Sequence, residues 1–250
     1  MRDNTPPPTT ALCDLPALIL VGGLGTRLNS VISDRPKPMA LVAGRPFLEW
    51  LVLMLRSQGV TKITFCTGHK AEMIQNYFGD GSRHSMCLRY SHETKPLGTG
   101  GAVRLALETE HAQRFLVLNG DSFLRSDISK LARHHLRKGT SSTMLLVHMQ
   151  DRGRYGAVEV DYSGAVQSFV EKKPYPEAGL VNAGVYCFDR RVFGPLPLHR
   201  SCSLEAEILP GLIGNGLYAL ESSGPFLDIG TPDSFATAQT FIPKHMGNFA

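Results

Sequence analysis

The chain has 250 residues, 42% of them hydrophobic, and a formal charge of +4, so it can bury a sizeable core and has the composition of a globular protein. The basicity is mild and contains no run of like charges, which points to anionic small molecules and away from a nucleic-acid surface. No apolar stretch is long enough to span a bilayer, the best being interrupted by Glu49, and five cysteines without C-x-x-C spacing exclude a disulfide framework and a zinc site and fit the reduced thiols of a cytoplasmic protein.

Residues 1–14, with Pro6-Pro7-Pro8 where a signal peptide needs an apolar core, read as a disordered lead-in, and 15–250 as one domain. A strand is expected over 17–21. It feeds Gly22-Gly23-Leu24-Gly25-Thr26-Arg27-Leu28, and Lys37 follows in Arg35-Pro-Lys-Pro-Met39. Glycines let backbone N–H groups approach phosphate oxygens, while Arg27 and Lys37 supply fixed charge, an arrangement suited to holding a nucleoside triphosphate. The dinucleotide fingerprint fails because Leu28 stands where its third glycine belongs, and the Walker ending Gly-Lys-Ser/Thr is missing.

A helix over 46–58 starts at Pro46, places Phe47, Leu51, Met54 and Leu55 at helical spacing, and stops at Gly59. Strands at 62–66, 86–90 and 114–118 then alternate with helices at 70–78, 99–109 and 127–138. Short connections between alternating elements predict an α/β fold with a Rossmann-like, mixed but mostly parallel central sheet and helices on both faces. In Glu93-Thr-Lys-Pro-Leu-Gly-Thr-Gly-Gly-Ala102, Gly98 admits a base or ribose close to the backbone, and Thr99 can cap the helix that follows.

Strand 114–118 runs into Asn119-Gly120-Asp121, which sets a carboxylate at the carboxyl edge of the sheet. The second half reads as strands at 142–149, 155–160, 165–171 and 181–188 with helices near 203–213 and 232–241, and is expected to cover the carboxyl ends of the early strands. Pro225-Phe-Leu-Asp228 is a second apolar run ending in an acidic residue; Asp121 and Asp228 together suit Mg²⁺ bridging phosphates, although each also fits a turn or helix cap. Glu171 beside Lys172, and Asn182 opening the next strand, offer hydrogen bonds and charge to an anionic sugar, or form a solvated strand end. The nine histidines lack metal spacing or a nucleophile partner and read as surface or core residues.

Taken in order, G-G-x-G-T-R-L, P-K-P, L-G-T-G-G-A, N-G-D, E-K, N-A-G and D-I-G-T-P resemble the sugar-1-phosphate nucleotidyltransferase family from about residue 17 to 239. The short chain, Pro-Lys-Pro-Met39 and Leu97-Gly-Thr-Gly-Gly101 are similar to the branch that uses GTP and a manno-heptose 1-phosphate. The resemblance implies that Leu20, Gly22, Gly23, Gly25, Thr26 and Arg27 hold the nucleotide, with Glu93, Gly98 and Thr99 near the base. It implies that Lys37 binds phosphate, that Asp121 and Asp228 hold Mg²⁺, and that Gly120, Glu171, Lys172 and Asn182 meet the sugar phosphate. Val21, Leu41 and the additional Lys173 depart from the usual pattern. The partners implied are an NTP and a sugar 1-phosphate, with neither nucleic acid nor membrane; association of several copies is left open, and no acyltransferase extension is expected. Two other readings are weighed: a nicotinamide oxidoreductase, which Leu28 disfavours, and a regulatory nucleotide-sugar sensor, which has no need of both metal carboxylates.

Overall fold

The apolar runs become the middle of a nine-stranded sheet. The computed structural model describes residues 12–23, 25, 28, 32, 34–171 and 177–247. In chain order, β1 (Ala17–Leu20) leads to the hairpin β2 (Leu41–Val42) and β3 (Arg45–Pro46), then α1 (Phe47–Ser57), β4 (Lys62–Thr67), α2 (Ala71–Phe78) and β5 (Cys87–His92). Next come α3 (Gly98–Ala106), β6 (Arg114–Asn119), β7 (Ser122–Leu124), α4 (Ile128–Lys138), β8 (Ser142–Met149), β9 (Ala157–Val160), β10 (Val166–Val170) and β11 (Gly179–Asp189). A π-helical turn (Leu204–Ile208) runs on into α5 (Leu209–Gly211), followed by β12 (Leu217–Glu221), β13 (Phe226–Asp228) and α6 (Pro232–Met246).

β1 lies parallel between β4 and β6, with β5 beyond β4. A strand covered on both sides must be apolar on both, and alternate residues of β1 sort to opposite faces. Ala17 and Ile19 join Phe47 of α1, Ile74 of α2, Leu131 of α4 and Ile242 of α6, whereas Leu18 joins Val103 of α3 with Leu204 and Leu209. Helices therefore cover both faces, as the alternation of elements predicts.

Beyond β6 the sheet becomes mixed. β11 runs antiparallel to β6 and to β8, β12 lies parallel to β8, and the β9–β10 hairpin joins through β11. The second half thus extends the sheet sideways instead of capping the early strands, and it reaches their carboxyl ends through β13, which pairs with β7 in a separate ribbon.

Local chemistry explains the remaining differences from expectation. The β2–β3 hairpin turns at Ala43 (φ 49°) and Gly44 (φ 80°), the double left-handed turn that matches strand twist. β9 starts at Ala157 because the chain first turns at 152–155, where the Tyr155 N–H bonds the Arg152 carbonyl at 2.9 Å. Leu12–Asp14 form a 3-10 turn inside the expected lead-in, and Leu12 packs against the core; residues 1–11 lie outside the described residues.

No helix among the described residues is long and apolar enough to cross a membrane. Cys66, Cys187 and Cys202 are buried, Cys87 is exposed, and all four are free. Burial pushes the Cys66 and Cys187 thiols up to about 12, so neither is a thiolate nucleophile near neutrality.

Candidate active site at the carboxyl ends of the parallel strands

After β1 the chain moves outward to β4 and β5, then returns to set β6 on the other side of β1. Ligands of open α/β sheets bind outside the carboxyl ends of strands at such a reversal. A cleft of 730 Å³ opens there. Leu20, Gly22, Gly23 and Gly25 line it from β1 and the glycine turn, Glu93 from the end of β5, Gly98 and Thr99 from the start of α3, and Gly120 and Asp121 from the end of β6. Lys37 lines it as well, its stem against the Gly25 turn. Thr26, Arg27 and Lys172 lie outside the described residues.

Two of the three loop glycines have a steric reason to be glycine. Gly25 sits at φ 62° with its missing Cβ only 2.9 Å from Lys37 Cβ, so the turn lies directly on the lysine stem. A Cβ on Gly22 would stand 2.9 Å from Glu93 Oε1, whereas one on Gly23 would meet nothing within 4 Å.

Lys37 opens a 3-10 turn, Lys37–Met39, whose Pro38 and Met39 are buried and anchor it. Its Nζ donates to Asp121 Oδ2 at 2.6 Å, with the lysine side chain 10% and the aspartate 40% exposed. Asp121 is fixed by its neighbour: the Gly120 N–H donates to the Leu20 carbonyl at 3.0 Å, and a Cβ on Gly120 would lie 2.5 Å from that oxygen and 2.6 Å from Val21 Cγ1. Gly120→Ala is therefore expected to cost about 1–3 kcal/mol by overpacking, read as a lowered Tm together with weakened turnover. A Tm within error of wild type would show that the β1–β6 junction is slack.

Asp228 comes to Asp121 through the β7–β13 ladder, where Asp228 pairs with Ser122 and the Ile229 N–H donates to the Asp121 carbonyl at 2.9 Å. Its carboxylate does not cap α6; that helix is capped by Thr231 and Ser234 in a reciprocal capping box. Instead it accepts from Arg154 Nη2 at 3.2 Å on each oxygen, from Tyr155 Oη at 2.7 Å and from the Gly230 N–H at 2.8 Å. Asp121, which immediately precedes β7, lines the cleft, whereas Asp228, opposite Ser122, is not among its lining residues; carboxylate oxygens are hard ligands of the kind that suit magnesium beside phosphates. Among the described residues no cluster of three or more metal-binding side chains exists, so such an ion would need the substrate to complete its shell.

At the other end of the cleft, Glu93 Oε2 accepts the Leu97 N–H at 3.0 Å, and burial raises its carboxyl above the ordinary glutamate range. Thr99 does not cap α3 as expected. Its hydroxyl donates to Glu205 at 2.7 Å and accepts from the Leu204 N–H at 2.7 Å, which ties the helix start to the π-helical turn. The Cys202 carbonyl accepts from the Gly100 and Gly101 N–H groups at 2.9 and 3.2 Å, leaving little room for side chains at Gly98, Gly100 and Gly101.

Glu171 and Asn182 stand beyond β6. A Cβ on Gly156 would lie 2.9 Å from Glu171 Oε2, and the Asn182 N–H donates to the Gly156 carbonyl at 2.9 Å. Asn182 Nδ2 donates to the buried Tyr186 hydroxyl at 2.6 Å, and the bend at Gly184 (φ 70°) abuts Asn119. Neither Glu171 nor Asn182 lines the 730 Å³ cleft itself; Asn119, which does, links their corner to it. Asn119 Oδ1 is buried without a hydrogen-bond partner, which adds the first residue of the N-G-D run to the site beside Asp121. His69 and His92 also line the cleft, although the histidines read as bystanders.

The sequence profile of the Nucleotidyl transferase family matches residues 16–245. D-glycero-alpha-D-manno-heptose 1-phosphate guanylyltransferase of Aneurinibacillus thermoaerophilus is 37% identical over 92% of this chain and 99% of its own length. Mannose-1-phosphate guanylyltransferase of Mycobacterium tuberculosis is 34% identical over 88% of this chain, which spans 62% of that longer protein. The crystal structure of HddC from Yersinia pseudotuberculosis, complexed with GMP-PN, superposes with a TM-score of 0.80 at 32% identity, covering 90% of this chain and 98% of that one. With a profile match over most of its length, the chain belongs to the nucleotidyl transferase family.

Proposed function

We propose that this cleft transfers the guanylyl group of GTP to a sugar 1-phosphate, with a manno-heptose 1-phosphate as acceptor. The observation that carries the reading is the placement, in one cleft, of the Lys37–Asp121 pair at the end of β1 and β6 and of Glu93 at the end of β5. The names of the similar proteins supply the base and the sugar.

In this reaction an oxygen of the sugar phosphate attacks the α-phosphorus of GTP in line, a P–O bond forms, and the bond to the β-phosphate breaks to release pyrophosphate. The nucleophile is already anionic, so no general base is needed. Lys37 and, on the family pattern, Arg27 meet the triphosphate, where charge spreads over the transferring group, and the glycine turn lets backbone N–H groups reach its oxygens. Asp121 and Asp228 would hold Mg²⁺, which when bound neutralises phosphate charge. Glu171, Lys172 and Asn182 are assigned to the acceptor.

Glu93 supports guanine as the base. An ionised carboxylate accepts but does not donate, which suits the adjacent N–H and NH₂ donors of guanine; uracil and thymine flank their single N–H with carbonyls, and adenine presents an acceptor beside its amine. Glu93→Gln is expected to lower kcat/KM for GTP about 10–100-fold while raising relative use of UTP or dTTP, measured by pyrophosphate release from each triphosphate. Because burial raises the folded carboxyl above its unfolded value, keeping it ionised at neutral pH works against the fold. The variant is therefore more stable than wild type at pH 7, and the gap closes as pH falls below the folded-state value. Unchanged base preference would remove Glu93 from base selection.

A further inference from the structure

Every acceptor position of Asp228 is already taken. A carboxylate has about four lone-pair sites, and Arg154 reaches both oxygens, Tyr155 one and the Gly230 N–H the other. A metal ion can enter only where a donor leaves, and the three donors differ in mobility. The Gly230 N–H is backbone between β13 and α6. Tyr155 is half-buried, with its ring 5.7 Å from that of Phe226. Arg154 is a long side chain, 43% exposed, on the turn before β9. Asp121 is likewise occupied by a cation, the Lys37 ammonium.

We propose that Arg154 is a displaceable resident cation that holds Asp228 in register and gives way to the divalent metal, so that the metal seat is closed until the nucleotide arrives. This rests on the metal-assisted reading above. The triphosphate draws Lys37 from Asp121, the incoming ion displaces Arg154 from Asp228, and neither exchange leaves a carboxylate without a positive partner. Metal alone has to displace two resident cations with no phosphate to complete its shell, so it binds poorly.

The experiment is Mn²⁺ binding followed by electron paramagnetic resonance, without and with GTP, on wild type, Arg154→Gln, Asp228→Asn and the double variant, each checked by thermal melting. Without nucleotide, Arg154→Gln is expected to bind Mn²⁺ about two- to fivefold more tightly than wild type, the scale of one partly exposed ion pair. In the Asp228→Asn background the same change has no effect. Equal or weaker binding by Arg154→Gln, or a gain that survives in the Asp228→Asn background, overturns the proposal while leaving the metal reading intact. Absence of Mn²⁺ binding to wild type even with GTP overturns both.

Discussion

Lys37→Ala is expected to lower kcat/KM about 10²–10³-fold, the usual loss when one fixed charge aimed at a developing negative centre is removed. The lysine is well placed for this. Its stem is clamped under Gly25, its backbone is fixed by buried Pro38 and Met39, and its side chain is only 10% exposed, so its charge acts with little screening by water. Arginine should restore little activity, because its longer planar fork does not set a compact point charge where the lysine ammonium sits, 2.6 Å from Asp121 Oδ2. Pyrophosphate release under saturating acceptor measures the effect. Turnover within a few-fold of wild type would show that Lys37 serves only to steady Asp121.

Asp121→Asn separates binding from chemistry. Turnover should fall about 10²–10³-fold through loss of a carboxylate at the reacting phosphates. GTP binding in EDTA should instead tighten, because the Lys37 ammonium is no longer shared with a carboxylate and is fully available to the triphosphate. The price is stability: a lysine this sheltered keeps an amide oxygen to donate to but loses its counter-charge, at a cost of about 1–3 kcal/mol that thermal melting detects. Titration of GTP in EDTA and steady-state rates on the same preparation give both signs. Weakened GTP binding in EDTA would mean that Asp121 organises the phosphate site instead of competing for its lysine.

Much of this arrangement is legible in the residues. β1, β4 and β6 carry apolar runs bounded by glycine and polar turns, while β5, where Leu88 and Tyr90 are interleaved with Arg89 and Ser91, alternates in the manner of an edge strand. β7 is not legible because three residues, Ser122–Leu124, carry no period, nor is β12, whose pairing to β8 is long-range and leaves no local mark. Thr99 looked like a cap because threonine at a helix start usually is one; the competing carboxylate, Glu205, is distant in sequence and invisible until the chain folds. The same limit applies to Arg154 and Tyr155, whose link to Asp228 depends on β13 and β9 arriving at one corner of the sheet.

Base and acceptor are assigned to opposite flanks of the β1–β6 pair: Glu93 and Gly98 on the β5 side, Glu171 and Asn182 beyond β6, with Lys37 and Asp121 between them. Among the described residues none is assigned to both flanks. Such a layout lets a lineage drift toward a new sugar while its donor preference stays fixed, in keeping with similar guanylyltransferases named for heptose and for mannose phosphates. Substrate diversification is then a matter of editing one margin of the sheet, without renegotiating the chemistry at its centre.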